Sequence, residues 1–348
     1  MTATLPPASA WPAHLYAHWY IACRSKDLGA RRPLACEILD QPLVLFRNGQ
    51  GKAAALLDRC AHRNIPLSAG WLKQGELQCR YHGWRFNAEG RCSAIPGLCS
   101  GSSDQPARRV PAFAVCEQQG FVWVYAAANT SPNHEPMVFP ESDNPHYQQL
   151  NWSFSGPSTV EDVAENFLDG THTHFVHPGL LRNDNRRGQI TARVTRSADR
   201  TEAYYPNDQT LDGWMYRILT GGLKEINVTA RFIMPSVLQQ EYTSNRPDYH
   251  FYYTVGLTPH NAGRITGHVC MSFCAGRWTP LFKLVSSPLF RIGIAQDLGI
   301  LRMHSAHLQR FERPQYAYSE LDLLRPHIDH LRQGLPAQPF EREVTLNL

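Results

Sequence analysis

Net charge is scarce in this sequence: 34 basic residues against 30 acidic ones leave +4 at pH 7, with a pI near 8.6. The basic residues are scattered rather than gathered into a stripe, so no nucleic-acid partner is expected, while a weakly acidic protein partner is compatible. Long apolar runs are scarce as well. The most apolar late stretch, TPLFKLVSSPLFRIGIAQDLGILRM, is interrupted by Lys283, Arg291 and Asp297 and holds two prolines, so it falls short of a membrane span. No basic n-region with an apolar h-region opens the sequence, and the nine cysteines are an odd set. A disulfide framework is therefore not expected, and a reduced, cytoplasmic compartment is. Neither a flavin nor a nicotinamide fingerprint occurs, and there are no long repeats or low-complexity tracts.

What is present points to two domains, since 348 residues can bury two cores. From about Trp19 to Tyr125 short apolar runs alternate with turn signals. PLVLFRNGQGKAAALLDRC reads as a hairpin around Asn-Gly, WRFNAEGRCSAI repeats the pattern, and GFVWVYAA supplies a further strand. A loop rich in Pro, Asn and Ser then marks a boundary, giving an all-β domain over residues 1–130 and a second domain over 131–348. The second domain opens with a helix, because Ser158 and Glu161 have capping-box spacing and Val160, Val163, Ala164, Phe167 and Leu168 form an apolar stripe. INVTARFIM, YHFYYTVGL and GRITGHVCMSFCA follow as strands of an antiparallel meander, and a last helix starts near Phe290. The expected class is α+β, with helices covering one face of a curved antiparallel sheet in a helix-grip-like arrangement.

Two groups of residues carry chemistry. Cys60 and His62, then Cys79 and His82 after sixteen intervening residues, supply two thiolates and two imidazoles. Such a set suits a tetrahedral zinc or a two-iron, two-sulfur cluster. Zinc fingers pair Cys with Cys and His with His, whereas each half here supplies one of each, which favours the cluster. The second group lies in VEDVAENFLDGTHTHFVHPG. Asp169 and His172, three apart, share one face of a continuous helix, but His177 would point about 140° away from His172. A common metal therefore requires the helix to bulge or break between them. Two histidines with one carboxylate leave positions on ferrous iron open for dioxygen. His174 with His177 is a rival pair at simpler helical spacing.

The segment Cys60–Gly83 resembles the Rieske motif of the Rieske non-heme iron oxygenases, and Asn166, Asp169, His172 and His177 fall on that family's second pattern. The resemblance implies a Rieske-type [2Fe–2S] cluster on Cys60, His62, Cys79 and His82, and mononuclear Fe(II) on His172 and His177. Asp169 would be a bridge rather than a ligand, with Asn166 beside it in the catalytic set. Asp297, matching the family's late Asp, would be the third iron ligand, with Glu312 and Asp322 as weaker alternatives. Ile65 and Tyr81 stand where respiratory Rieske proteins carry an extra cysteine pair, implying no disulfide staple and a lower reduction potential. His304 and His307 are read as structural, and Tyr204, Tyr205, Trp214, Tyr216, Phe232, Met234 and Tyr252 as candidates for an apolar substrate pocket.

The same resemblance implies a terminal oxygenase component of the single-subunit monooxygenase and demethylase branch. It would use O2 and electrons from a separate ferredoxin or flavin reductase on a small, fairly apolar, aromatic substrate, in a head-to-tail homotrimer. Asp169 would join His82 of one copy to His172 of the next. Ring dihydroxylation and arylamine N-oxygenation are the alternatives within the family. A non-catalytic Rieske electron carrier or redox sensor, and a structural zinc protein, are the alternatives outside it.

Overall fold

The computed structural model describes residues 11–183, 187–220, 223, 225–246, 249–276, 279–311, 314–336 and 338–348. They form two compact units, one running to Met137 and taking in Thr258–Ala262, the other made of Val138–Leu257 and Gly263–Leu348. The stretch from Ala126 to Tyr147 has no helix or strand, and the 130/131 boundary read from sequence falls inside it.

The first unit is built from eleven short strands among the described residues. They are β1 (Trp19–Arg24), β2 (Leu34–Ile38), β3 (Gln41–Arg47), β4 (Ala53–Leu57), β5 (Trp71–Lys73), β6 (Glu76–Gln78), β7 (Arg85–Phe86), β8 (Cys92–Ala94), β9 (Ala112–Phe113), β10 (Val115–Gln118) and β11 (Phe121–Tyr125). Three small sheets result, ordered β1-β11-β10, β2-β3-β4-β9 and β5-β6-β7-β8. The two expected hairpins are made the same way. Asn48 Oδ1 accepts from the N–H groups of Gln50 and Lys52, and Asn87 Oδ1 from those of Glu89 and Arg91. Each Asn thus mimics a backbone turn, and a glycine three residues on, Gly51 or Gly90, takes the left-handed conformation. A Cβ on Gly90 would lie 1.9 Å from the Val110 carbonyl oxygen, so no other residue fits there.

The second unit is an eight-stranded antiparallel sheet of β12 (Gln148–Gly156), β13 (Gln189–Arg196), β14 (Arg200–Tyr205), β15 (Ile226–Ile233), β16 (Val237–Ser244), β17 (Tyr249–Asn261), β18 (Arg264–Ala275) and β19 (Phe340–Asn347), ordered β12-β18-β17-β16-β15-β14-β13-β19. In β15 the side chains alternate strictly, with Ile226, Val228, Ala230 and Phe232 buried. Helices α1 (Val160–Leu168), α2 (Thr173–Val176), α3 (Trp214–Thr220), α4 (Thr279–Leu308) and α5 (Arg325–Arg332) complete it. Packing of α1 on β15 and β16, and of α4 on β12 and β18, buries one core that joins Val163 and Phe167 to Ala230, Leu298 and Ile328. Full burial of each of the larger side chains, Val163, Phe167, Leu298 and Ile328, contributes roughly 1.5–3 kcal/mol. No helix among the described residues is long and apolar enough to cross a membrane.

The α+β class and the helix-covered sheet agree with the sequence reading, while several elements differ. Strand β16 intervenes between the first two predicted meander strands. Thr159, not Ser158, caps α1, its hydroxyl accepting from the Asp162 N–H at 3.1 Å. The late helix begins at Thr279, eleven residues before Phe290, and carries Pro288 inside it. Most importantly, the helix that begins at Val160 stops at Leu168. Asp169 is extended (φ −77°, ψ 133°), so Asp169 and His172 do not share a helical face. The break precedes His172 rather than following it.

Candidate metal centres

In the first unit, Cys60 follows β4 and Cys79 follows β6, and each opens a loop of the same hydrogen-bonded form. The Cys60 N–H donates to the Ile65 carbonyl at 2.9 Å and its carbonyl accepts from the Asn64 N–H at 3.0 Å. Cys79 repeats this with Trp84 and Gly83, at 2.8 and 3.0 Å. Asn64 (φ 59°) and Gly83 (φ 71°) supply the left-handed residue at the matching place in each loop. Both sulfurs are buried, with Cys60 1% and Cys79 2% exposed. The His62 and His82 rings lie 4.6 Å apart, His62 stacks on Trp84 at 4.7 Å, and Tyr81, beside His82, is exposed.

This set fits an iron–sulfur cluster. Burial pushes the Cys60 thiol up to about 11, and the neighbouring Cys79 sulfur adds to that, so two thiolates can stand there only beside compensating positive charge. His62 Nδ1 is buried with no hydrogen-bond partner, a bare donor atom in the same loop.

In the second unit, His172, His177 and Asp297 each offer a ligand atom, all within 4.8 Å of one another. The turn after α1 places the first. Asp169 Oδ1 accepts from the Thr171 N–H at 2.8 Å and Oδ2 from the His172 N–H at 3.0 Å, closing the chain on itself where Gly170 weakens the helix. The single turn of α2 then carries the chain from His172 to His177, which ends it with φ −122° and ψ 51°. Asp297 comes from α4, where Asp297 Oδ1 lies 2.9 Å from His177 Nε2 and 3.5 Å from His172 Nε2.

Gln296, which sequence reasoning passed over, decides how this set is read. Its Oε1 lies 2.7 Å from His177 Nδ1, which accounts for the Nδ1 proton and leaves Nε2 as the nitrogen turned to Asp297. Nε2 faces the buried Asp297 Oδ1, which has no hydrogen-bond donor besides the imidazoles of His172 and His177. Two imidazole nitrogens and a carboxylate oxygen brought together away from water fit the donor set of a ferrous ion. Although burial opposes it, Asp169 and Asp297 hold the His172 imidazole up at about 9. The two histidines in turn lower Asp297 against its own burial.

The remaining predicted residues are distributed otherwise. His174 is buried but outside the cluster of three. Asn166 Oδ1 is buried without a partner, and Asn166 does not line the adjoining cavity. Asp322 accepts from Ser319 in its own turn, His304 lies 3.8 Å from Asp162, and Glu312 is outside the described residues.

A cavity of about 120 Å³ opens beside the triad, with room for on the order of ten waters. Of the pocket residues named from sequence, Tyr205 and Tyr216 line it, but Tyr204, Trp214, Phe232, Met234 and Tyr252 do not. Strand alternation explains part of this: Phe251 and Tyr253 face the cavity, while Tyr252 between them bonds Glu241. Phe167, Tyr242 and Phe290 complete the aromatic wall.

Comparison with known proteins finds one family match in each unit. Residues 18–114 match the Rieske [2Fe-2S] domain, and residues 157–324 match the Vanillate O-demethylase oxygenase C-terminal domain. The chain is 28% identical over 304 residues to the chloroplastic protein TIC 55 of Pisum sativum, covering 85% of this chain and 53% of that protein. It is 34% identical over 169 residues to the oxygenase component of dicamba O-demethylase from Stenotrophomonas maltophilia, covering 48% of each. It thus spans about half the length of the curated relatives it matches. Dicamba monooxygenase bound to 3,6-dichlorosalicylic acid shares the fold with a TM-score of 0.78 at 22% identity, over 92% of this chain and 97% of that one. NdmA of Pseudomonas putida CBB5 with caffeine does so at 0.74 and 20% identity, over 91% and 89%.

Proposed function

Because this chain belongs to the Rieske non-heme iron oxygenases, we propose that it is a terminal oxygenase component that hydroxylates or oxidatively demethylates a small, fairly apolar, aromatic substrate. Its electrons come from a separate ferredoxin or flavin reductase. The observation that carries this reading is the convergence of His172, His177 and Asp297 on one cavity, in a chain that also holds the Cys60, His62, Cys79 and His82 set.

When bound, the two-iron cluster stores reducing equivalents and the ferrous ion provides the place where dioxygen is reduced. The chain's own residues do the rest. Gln296 holds the Nδ1 proton of His177, so only Nε2 is offered to the metal. Asp297 brings the one anionic donor of the triad. The aromatic wall of Phe167, Phe251, Tyr253 and Phe290 excludes water and favours a flat apolar ring. Asp169 orients His172 through the turn it closes, and in a head-to-tail homotrimer we assign it the link to His82 of a neighbouring copy. In the overall balance, dioxygen, a C–H bond, two electrons and two protons give an alcohol and water. A methyl ether hydroxylated on its methyl group then collapses to formaldehyde and the free hydroxyl compound, and O-demethylation is the activity named for the vanillate and dicamba relatives.

The test is an aerobic screen of methoxylated, N-methyl and alkyl aromatics with a surrogate reductase, scored by oxygen uptake and formaldehyde release. Substrate-dependent uptake that disappears in His172→Ala is expected. Uptake that is the same with and without every compound in the panel overturns the reading.

A further inference from the structure

The cavity-facing side of α4 has a gap in it, and what fills that gap rests on the oxygenase reading above. Phe290, Gly293, Ile294 and Asp297 all line the cavity. They stand at i, i+3, i+4 and i+7 of one helix, so their Cα–Cβ directions share a face and aim at the same space. Three of the four send a side chain there. Gly293, one turn before Asp297 of the triad, sends none.

Neither of the usual reasons for a glycine applies at this position. Its backbone is helical and its φ is not positive, so no left-handed turn calls for it. A Cβ built on it would meet no atom of another element or side chain within 4 Å, so no close approach excludes one either. Yet a glycine inside a helix costs stability relative to alanine. Gly299 of the same helix provides the contrast. It lies nine residues after Phe290, about 180° around the helix, where it is exposed and does not line the cavity. A Cβ on Gly299 would also meet nothing within 4 Å.

Space for a side chain is thus held open at 293, on the cavity side. Its neighbours on that face, Phe290 and Ile294, are apolar, which suits an apolar occupant. We propose that Gly293 is a specificity-determining residue, and that the space left by its missing side chain takes an alkyl substituent on the ring of the substrate.

The experiment titrates methoxybenzene and its 2-, 3- and 4-isopropyl derivatives calorimetrically into the anaerobic holoenzyme. At least one isopropyl compound should bind the parent as tightly as methoxybenzene does. Gly293→Ala should weaken that compound by about tenfold, and Gly293→Val by more, while methoxybenzene changes less than about threefold. Gly299→Ala should change neither. Both alanine variants should raise the urea midpoint, because each removes a helical glycine where a methyl group fits. A lower midpoint in Gly293→Ala would mean that the glycine serves the backbone, which overturns the proposal. So would a parent that binds every isopropyl compound more weakly than methoxybenzene, or binds none of the four. Unchanged affinity in the position-293 variants, or equal loss for large and small compounds, overturns it too. Oxygen uptake run in parallel separates this from the reading beneath it. Size-selective binding without compound-dependent uptake keeps the role of Gly293 and removes the oxygenase reading. Compound-dependent uptake with no size effect at position 293 does the reverse.

Discussion

His177 is gripped from both ends of its ring by consecutive residues of one helix, Gln296 at Nδ1 and Asp297 at Nε2. That arrangement separates two roles at the residue scale. Asp297→Ala removes the anionic donor, and the purified variant should lose its mononuclear iron while keeping the iron–sulfur absorption of the first unit. Iron retained at the parent level would move the ligand role to another acid. Gln296→Leu removes only the tautomer lock, so iron affinity should fall by roughly 10–100-fold. Gln296→Glu, which keeps an acceptor, should restore most of it. A competition titration with a ferrous chelator reads all three. These residues also differ in how visible they were beforehand. Cysteine and histidine ligands sit at spacings that a loop must keep to hold a cluster, and the two patterns could be read directly. Gln296 meets His177 across 119 residues, and an amide on a helix has no spacing that announces such a partner. The pocket lining was legible only in part for the same reason, because which aromatic faces inward depends on strand register.

At the scale of elements, the least legible feature was where α1 ends. Its apolar stripe continues the helical period, but Asp169 bonds the two N–H groups ahead of it and Gly170 offers no resistance, so local side-chain bonding outweighs the pattern. The strands were legible where one face is buried, as in β15. Their pairing imposes one tight requirement: Gly267 of β18 stands opposite Phe154 of β12, and a Cβ there would come within 2.3 Å of the Phe154 ring. Phe154 in turn stacks on Phe167, which lines the cavity. Gly267→Ala should therefore destabilise the second unit by about 1–3 kcal/mol in a urea titration and weaken binding of ring compounds. An unchanged midpoint would show that Phe154 moves aside freely. The same sheet carries a charged network on β15, β16 and β17. His250 and then Arg231 and Tyr252, against some opposing burial, lower the Glu241 carboxyl from 4.5 to about 2. A depressed folded value means that this stabilisation is complete above about pH 4.5 and is lost as pH falls toward 2. It amounts to no more than about 3 kcal/mol. Urea midpoints measured from pH 6 down to about pH 3 should fall less steeply in Glu241→Gln than in the parent.

For the molecule as a whole, the fold class followed from the change of period along the chain, from clustered short strands to one helix and then long alternating strands. β19, which closes the sheet against β13, was not anticipated, because a terminal strand has no turn signal tying it to a partner some 150 residues away. The trimeric route proposed above calls for a test that one copy alone cannot pass. His62→Ala removes a cluster ligand and leaves the mononuclear site intact. His172→Ala does the opposite. Each variant alone should be inactive in substrate-dependent oxygen uptake. If electrons pass between neighbouring copies of a closed head-to-tail ring, co-expressing the two in equal amounts places an intact cluster beside an intact iron site at about a quarter of the interfaces. The mixture should then recover about a quarter of parental activity, in a species whose mass by light scattering is that of a trimer. Transfer confined within one chain predicts no recovery, since every chain in the mixture lacks one of its two centres.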